Sequence, residues 1–286
     1  MSHSDRQPPK FVYDFKHQSY DLAARTYIMG VLNVTPDSFS DGGTYFEADR
    51  AIARGKQMEE EGADFIDIGG ESSKPGSDPV SGDEELRRVL PVLEQLALEV
   101  TIPLSVDTYK SEVAKEALRV GAQVVNDISG LTFDPKMIGL VKSFDACVVI
   151  MHMKGTPKTM QLDPTYTDVV DEVSRFLSKQ TELARNNNIR KIIVDPGIGF
   201  GKSVHHNLEL IKNLGRIAQL GYPVLLGPSR KSFIGKLLDA PIGERLEGTA
   251  AAATASILRG ANIIRVHDVK EMKRVATIAD ALKSES

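Results

Sequence analysis

The sequence predicts an α/β protein that folds as a single-domain (β/α)8 barrel, also called a TIM barrel. Eight short runs rich in β-branched residues recur along the 286-residue chain, and segments with helical periodicity separate most of them. The runs are continuously apolar rather than alternating, which is typical of parallel strands covered on both faces. About eight such units close a barrel of about 250 residues, so the length requires no second domain.

The predicted strands and helices follow one another in a regular order. The strands begin near Tyr27, Asp64, Ile102, Gln123, Ala146, Lys191, Tyr222 and Ala261. The helices cover residues 48–61, 84–98, 110–119, 169–186, 208–220 and 269–282, where apolar residues recur three or four positions apart. The barrel domain then takes residues 27–286. Residues 1–26 form an N-terminal extension, in which residues 10–26 could form a hairpin or plug that closes the barrel bottom.

An open, doubly wound parallel sheet is the alternative fold. Such a sheet concentrates its binding site at one switch point in the strand order. In this sequence the polar residues that suggest a function follow many different strands along the whole chain, which favours the barrel.

Composition excludes several classes of protein. Hydrophobic residues make up 41% of the chain and charged residues 26%, without a long uncharged apolar run, so we expect no membrane span. A net charge of -4 and the lack of a long basic block argue against a nucleic-acid partner. The polar N-terminus and the single cysteine, Cys147, fit a reducing cytoplasm. The expected partner is a small molecule.

Polar side chains follow nearly every predicted strand. They are Asn33, Gly69, Gly70, Glu71, Asp107, Asn126, Asp127, His152, Asp195, the run GPSRK at 227–231, Arg265 and His267. Each one alone could cap a helix or support a loop. Because the carboxyl ends of barrel strands meet at one mouth, we expect these residues to converge there. Acids, amides, cations and a histidine together suit a flat polar heterocycle that carries an anionic group.

A metal at this mouth would be a hard ion. The histidines are too dispersed for a close-spaced zinc motif, and the chain has no cysteine pair to complete one. Mg2+ held partly by substrate phosphate oxygens is therefore the expected cofactor.

Four further features have weaker functional interpretations. The run DPGIGFGK at 195–202 matches neither common nucleotide-binding loop, and its notable residue is the aspartate, Asp195. His205 and His206 are expected at the surface or as helix caps, and Cys147 as an inert buried thiol. Lys231 could form a Schiff base, but its Ser-Arg-Lys-Ser setting favours contact with an anion or a carbonyl.

Seven blocks of sequence carry a family resemblance that covers nearly the whole chain. They are MGVLNVTPDSFSDGG (29–43), DIGGESSKPG (67–76), SVDTYK (105–110), VVNDISG (124–130), VDPGIGFGK (194–202), GPSRKSFIG (227–235) and RVHDV (265–269). In this order they resemble the dihydropteroate synthases. Several blocks are shared with a wider pterin-binding superfamily, so a pterin-binding module or a methyltetrahydrofolate-binding component is the rival. Neither rival needs the aminobenzoate loops or the Ser-Arg-Lys-Ser block.

The resemblance implies a transferase of folate biosynthesis. It would join 6-hydroxymethyl-7,8-dihydropterin diphosphate to p-aminobenzoate and release pyrophosphate, and sulfonamides, which mimic p-aminobenzoate, would target it. Family members form homodimers, and the small-residue run at 247–259 would permit close helix packing. An equally good interpretation is that this helix packs only on its own barrel.

The resemblance also assigns roles to individual residues. Asp107, Asn126 and Asp195 would bind the edge of the pterin ring, Lys231 its carbonyl and N5 side, and Arg265 its face and the nearby phosphate. Asn33 and His267 would face the diphosphate, with Asn33 also near Mg2+. The implied catalytic set is Asp107, Asp195, Lys231, Arg265 and His267. The implied contacts of the diphosphate and p-aminobenzoate are Asn33, Thr35, Phe39, Ser73, Lys74, Pro75, Phe200, Ser232, Arg265 and His267.

Two loops, at residues 35–43 and 72–77, match those that close over the site in the family. The second loop departs from the common pattern, because Ser73 and Lys74 stand where most relatives have threonine and arginine. Lysine keeps the positive charge but lacks the two-pronged geometry of a guanidinium. We therefore expect anion binding to persist, with a lower affinity or rate than in the family; the alternative is a diverged paralogue with an altered function.

Overall fold

The computed structural model describes residues 11–16, 18–35 and 44–284, and a barrel of parallel strands forms its centre. The eight-stranded sheet has the order β8-β7-β6-β5-β4-β3-β10-β9, and a parallel bridge between Val194 and Val224 brings its two edges together. This arrangement confirms the predicted (β/α)8 fold.

The elements have the following bounds. The strands are β1 Val12–Phe15, β2 Gln18–Asp21, β3 Tyr27–Asn33, β4 Phe65–Gly69, β5 Leu104–Asp107, β6 Val124–Asp127, β7 Cys147–Met151, β8 Ile192–Asp195, β9 Leu225–Leu226 and β10 Ile263–Val266. The helices are α1 Thr44–Glu60, α2 Gly82–Glu99, α3 Ser111–Arg119, α4 Lys136–Ser143, α5 Val169–Asn186, α6 Val204–Lys212, α7 Leu214–Ala218, α8 Ser232–Leu238, α9 Leu246–Leu258 and α10 Val269–Ser284, with a 3-10 helix at Ile242–Glu244.

One predicted helix is two helices. The segment 208–220 contains the end of α6 and all of α7, and Asn213 separates them. The side-chain amide of Asn213 donates to the backbone carbonyl of Glu209. The backbone carbonyl of Asn213 accepts from the Arg216 N–H, so this residue ends one helix and starts the next. Helix α6 begins earlier than predicted because Ser203 and His206 form a reciprocal capping box. The capping role predicted for His206 is thus confirmed.

Side-chain alternation along the strands decides what faces the barrel interior. In β5, Leu104 and Val106 pack outward with the helices, whereas Asp107 points into the barrel. The lower interior is apolar and includes Phe65, Val124, Cys147, Val149, Ile193, Leu225 and Ile263. Burial raises the pKa of the Cys147 thiol, which agrees with the prediction of an inert thiol. The polar residues lie above this layer, at the carboxyl ends of the strands.

An antiparallel hairpin of β1 and β2 lies before the first barrel strand, within the segment expected to form a hairpin or plug. Phe15 from this hairpin is 2% exposed, and its ring meets that of Phe65 edge-on at 5.4 Å between centroids. The Tyr13 hydroxyl donates to the Ile192 carbonyl at 2.8 Å. The hairpin therefore covers the amino-terminal end of the barrel. The division of the chain at residue 26 stays a prediction.

Within the described residues, we find no helix that is both long enough and apolar enough to cross a membrane.

Candidate active site

The carboxyl ends of the barrel strands surround a small pocket. Its lining residues are Asp107, Asn126, Ile128, Met151, Asp195, Ile198, Phe200, Gly227, Lys231 and Arg265. All five residues predicted for the pterin ring are among them. They come from strands β5, β6, β8 and β10 and from the loop before α8, so the barrel brings together residues far apart in sequence.

A buried carboxylate that sequence reasoning missed holds the floor of this pocket. Asp67 is fully buried on β4, and its Oδ2 accepts from the Asn126 amide at 2.8 Å and from Arg265 Nε at 2.6 Å. Arg265 also donates through Nη2 to Asp107 Oδ2 at 2.7 Å. The signal was present in the strand DFIDIG, because a charge inside an apolar strand needs a charged or hydrogen-bonding partner.

These bonds decide which atoms the pocket offers to a ligand. Since the Asn126 amide nitrogen donates to Asp67, its carbonyl oxygen is the group left to accept from a ligand N–H. Arg265 is fixed between two carboxylates and presents its remaining donors and the face of its guanidinium.

Burial raises the pKa of both pocket carboxylates, Asp107 and Asp195. Desolvation raises the pKa of Asp107 well above its usual range, against the opposing positive charge of Arg265. Burial raises the pKa of Asp195 to about 6, although the Gly197 N–H donates to its Oδ1 at 2.6 Å. Both carboxylates therefore gain from ligand N–H donors that stabilise their charged forms.

Lys231 lies at the amino-terminal cap of α8, and its Nζ is 4.1 Å from the centroid of the Phe200 ring. Burial, and then the Arg265 charge, lower the pKa of its ammonium to about 8, while Asp195 and Asp107 act in the opposite direction. The preceding turn is fixed by an ion pair between Arg230 and Asp268. The lysine thus contributes a positive charge beside an aromatic wall.

His267 and Ser229 are tied together near this lysine. The Ser229 Oγ accepts from the His267 backbone N–H at 3.2 Å and lies 2.9 Å from His267 Nδ1. Which of these two atoms donates depends on the His267 tautomer, and when the Ser229 hydroxyl donates to Nδ1 the ring proton lies on Nε2. Burial lowers the pKa of His267 to about 4, so the ring is neutral at pH 7. With its proton on Nε2, the ring can donate one hydrogen bond from that atom.

Of the described residues predicted to contact the diphosphate and p-aminobenzoate, Phe200 and Arg265 line the pocket, whereas Asn33, Thr35, Ser73, Lys74, Pro75, Ser232 and His267 do not. Asn33 ends β3 and is half-buried, Ser73 is half-buried, and Lys74, Pro75 and Ser232 are exposed. Thr35 is the last described residue before residues 36–43, so the Phe39 prediction lies outside the described residues.

The loop that carries Ser73 and Lys74 is anchored at its base and its tip. Glu71 accepts from the Val80 N–H at 2.9 Å, the Tyr109 hydroxyl at 2.6 Å and Lys110 Nζ at 2.6 Å. At the tip, the Gly76 N–H donates to the Pro157 carbonyl at 3.0 Å. The loop is therefore held over the mouth from the β7 side.

Three strand-end residues expected at the mouth do not line the pocket. Asp127 points away from the interior and caps its loop by accepting from Ser129 and Leu131. Glu71 holds the loop described above. The His152 ring packs edge-on against Phe176, 5.0 Å between centroids. Asp127 and His152 alternate with the inward-facing Asn126 and Met151 on their strands, so, contrary to expectation, their side chains do not face the pocket.

The rim suits a metal that brings most of its own ligands. Among the described residues, no group of three or more histidine, cysteine or carboxylate side chains could enclose an ion. Asn33 offers one amide oxygen at the end of β3, a donor type that Mg2+ accepts. Such an ion would take its other ligands from water and from a phosphate-bearing substrate, which the donor set at this mouth permits.

Comparison with known proteins gives consistent matches over nearly the whole chain. A family profile described as pterin binding enzyme matches residues 29–267. The dihydropteroate synthase of Synechocystis is 47% identical over 266 residues, 92% of each chain. A solved dihydropteroate synthase from Clostridium difficile, determined with pteroic acid, is 46% identical with a TM-score of 0.87 and covers 92% of this chain and 98% of its own.

A Yersinia pestis dihydropteroate synthase solved with a sulfonamide drug is 42% identical, has a TM-score of 0.90 and covers 96% of this chain and 99% of its own. The resemblance inferred from the seven sequence blocks is thereby confirmed. On the fold, the pocket and these matches, the chain belongs to the dihydropteroate synthases of the pterin-binding enzyme family.

Proposed function

We propose that this transferase joins 6-hydroxymethyl-7,8-dihydropterin diphosphate to p-aminobenzoate, giving 7,8-dihydropteroate and pyrophosphate. The observation that carries the proposal is the convergence of Asp107, Asn126, Asp195, Lys231 and Arg265 on one pocket. Three of these side chains are hydrogen-bond acceptors and two are cations, which matches a ring with N–H donors on one edge and a carbonyl on another.

The pterin ring would bind by its edge. Asp195, with its pKa raised by burial, accepts from the ring amino and N–H groups and becomes fully ionised when it does so. The Asn126 carbonyl accepts a further ring donor because its amide nitrogen is engaged with Asp67. Lys231 donates to the ring carbonyl and N5 side. Asp107 and Arg265, paired at 2.7 Å, hold the ring in one orientation.

The diphosphate would lie toward the rim. His267 donates from Nε2, Arg265 contributes charge, and the Ser73 hydroxyl and Asn33 reach the outer oxygens. Asn33 and the phosphate oxygens of the substrate would hold Mg2+, and the ion would supply positive charge that offsets the charge on the leaving group.

The reaction is a substitution at the exocyclic methylene carbon of the pterin. The carbon–oxygen bond breaks with its electron pair going to the diphosphate, and electron density from the ring stabilises the methylene cation. The neutral aromatic amine then forms the carbon–nitrogen bond and loses one proton to water. Ionised Asp107 and Asp195 favour the cationic ring, and donors aimed at the diphosphate favour departure. The amine needs no strong base, because it is neutral at pH 7.

The p-aminobenzoate ring would bind between Phe200 and the two loops. Phe200 supplies an aromatic wall beside Lys231. Thr35, Pro75, Lys74 and Ser232 would form the outer side, and the role predicted for Phe39 falls outside the described residues. Closed loops exclude the water that would otherwise capture the cation. The Yersinia pestis relative was solved with a sulfonamide drug, which supports the proposal that sulfonamides compete at this position here too.

Helix α9 supports the proposal of a homodimer, which we expect in the cytoplasm. Thr249, Ala253 and Ile257 on this helix are buried against the barrel, whereas Leu258 is 43% exposed. On the neighbouring α10, Ile278 is 64% exposed. Burying these apolar side chains against a second copy would be favourable.

The decisive experiment is pyrophosphate release by the purified protein from the dihydropterin diphosphate with Mg2+, with and without p-aminobenzoate. We expect release that depends on p-aminobenzoate and yields dihydropteroate. Tight pterin binding without that release would overturn the proposal in favour of a binding module, and the loop with Ser73 and Lys74 would then be the first region to restore toward the family pattern.

A further inference from the structure

A buried lysine beside the pocket has no part in the reaction described above. Lys202 follows the loop after β8 and is 2% exposed. Its Nζ lies 2.9 Å from the Phe200 carbonyl, 3.2 Å from the His152 carbonyl and 3.0 Å from His152 Nδ1. These three acceptors match the three N–H donors of an ammonium group.

The His152 ring can accept a hydrogen bond from Lys202 through Nδ1. Its ring lies against Phe176, and burial, with the nearby Lys202 charge, lowers its pKa to about 2. The imidazole is therefore neutral, and Nδ1 can accept from the ammonium. Burial lowers the pKa of Lys202 to about 7, with Asp195 opposing and Lys231 and Lys154 adding to the shift. The three acceptors offset part of that cost.

The loop of residues 196–201 is attached to its surroundings through its backbone. The Gly199 carbonyl accepts from Gln161 at 2.7 Å, and the Gly201 carbonyl accepts from the Tyr166 hydroxyl at 2.8 Å. Gly197 has a φ of +70° and packs so closely that an added Cβ would lie 1.9 Å from the His152 carbonyl oxygen. Lys202 supplies the corresponding anchor for the Phe200 carbonyl.

Phe200 is the residue through which this anchor reaches the site. Its side chain lines the pocket and lies under Lys231 Nζ, 4.1 Å from ring centroid to nitrogen. A change in the position of the Phe200 backbone would move both the aromatic wall and the cation that contacts it. Phe200 has two backbone anchors, since its own N–H donates to the Gly197 carbonyl at 3.1 Å.

We propose that Lys202 is a positioning residue: its ammonium joins the end of β7 to the Phe200 loop and so fixes the wall of the p-aminobenzoate pocket. The expected kinetic effect rests on the proposed function. The anchoring of the Phe200 loop depends only on the contact between Lys202 Nζ and the Phe200 carbonyl. Loss of the ammonium frees the Phe200 carbonyl, so the aromatic amine, which uses this wall most, binds more weakly than the pterin.

The kinetic test compares Lys202→Met with Lys191→Met. Methionine keeps much of the buried volume but removes the donors. Lys202 follows strand β8, and Lys191 lies just before that strand, at the opposite end of the barrel. Lys191 pairs with Asp145, so it is the matched control. In Lys202→Met we expect the KM for p-aminobenzoate to rise about tenfold or more, and the KM for the pterin diphosphate to rise less. A lower melting temperature with both KM values unchanged would overturn the proposal, since that is the result of a purely structural role.

A spectroscopic test does not depend on catalysis. The chain contains no tryptophan, so Phe200→Trp introduces one reporter at the wall. We expect Lys202→Met to increase acrylamide quenching of this tryptophan at least twofold, whereas Lys191→Met leaves quenching unchanged. Unchanged quenching in Lys202→Met would contradict the proposal. If Lys202→Met increases quenching in the Phe200→Trp protein but the unmodified protein makes no dihydropteroate, the anchor is supported and the proposed reaction is rejected.

A second substitution covers the case in which Lys202→Met does not fold. His152→Leu keeps Lys202 and both carbonyl contacts but removes the Nδ1 acceptor. We expect the same changes in the KM for p-aminobenzoate and in quenching, two- to fivefold in size. No change in either quantity would overturn the proposal.

Discussion

At the scale of single residues, Arg265 organises the anionic side of the site. It bridges Asp67 and Asp107, which come from neighbouring strands, and its side chain is 18% exposed. Removing one partner of such a buried network leaves an unpaired charge, which costs about 3–5 kcal/mol. The residues that never touch the ligand therefore decide how those that do are oriented.

Asp195→Asn is expected to weaken pterin binding while leaving the fold intact. The asparagine would direct an N–H group toward ring donors, and the loss of a charged hydrogen bond costs about 1.5–3 kcal/mol, or roughly 10- to 150-fold in affinity. Titration calorimetry with a pterin ligand measures the affinity, and thermal unfolding serves as the fold control. Wild-type affinity and turnover in this variant would exclude Asp195 from the site. Lys231→Ala should likewise lose most activity.

Asp67→Asn tests the residue missing from the sequence prediction. Asp67 raises the pKa of Asp107 by its negative charge, so its neutralisation should lower that pKa and move the acid limb of the kcat/KM profile to lower pH. The KM for the pterin substrate should rise, because the acceptor shared by Asn126 and Arg265 loses its negative charge. Asp127→Asn is the matched control, as it removes another buried carboxylate that caps a loop outside the pocket. An unshifted pH profile would show that Asp67 does not act on Asp107.

At the scale of elements, the loops at the carboxyl ends of the strands are fixed at specific points and carry the variable residues. The loop at residues 71–80 is anchored through Glu71 and Gly76, while Lys74 and Pro75 between these anchors are exposed. A rigid base with a polar, exposed centre is suited to contact a substrate and then release it.

Restoring the family pattern in this loop should improve binding. In the double variant Ser73→Thr and Lys74→Arg, the guanidinium can bind a carboxylate or phosphate with two parallel hydrogen bonds. We expect the KM for p-aminobenzoate or for the pterin diphosphate to fall about three- to tenfold, measured in steady-state assays. Lys158→Arg, the same substitution in the facing loop, should change neither value. If the double variant has wild-type kinetics, the departure from the family pattern has no functional consequence.

At the scale of the whole molecule, the barrel separates stability from chemistry. The hairpin and the apolar lower interior close the amino-terminal end, and the charged residues gather at the opposite end. This separation permits a strongly desolvated set of charges, because the apolar half of the interior supplies stability to the fold as a whole.

The raised pKa of Asp195 predicts a pH dependence of ligand binding. Its folded pKa of about 6 exceeds the value near 3.9 of an unfolded aspartate, so the stability it contributes is present below about pH 4 and lost as pH rises through 6. Ligand N–H donors prefer the ionised form, so the pterin affinity should rise about tenfold from pH 5 to 7 and then level off. Calorimetry from pH 5 to 7 measures the affinity. In Asp195→Asn, the control, the affinity should depend less on pH. An affinity independent of pH from 5 to 7 would contradict it.

The sequence by itself determined the barrel and the approximate start of each of its eight strands, because local periodicity marks the strands. The rule that parallel barrel strands end at one mouth predicted that polar residues would converge there, and the family resemblance singled out Asp107, Asn126, Asp195, Lys231 and Arg265 among them. Alternation along β6 also separates Asn126, which faces the pocket, from Asp127, which does not.

Only the tertiary structure decided which charges meet. Asp67 and Arg265 are 198 residues apart in sequence, and Lys202 and His152 are 50 apart, so no local pattern predicts either contact. The pairing depends on barrel closure, which brings distant strands side by side. Because a buried charge is costly without a partner, each of these charges then pairs with a specific group nearby.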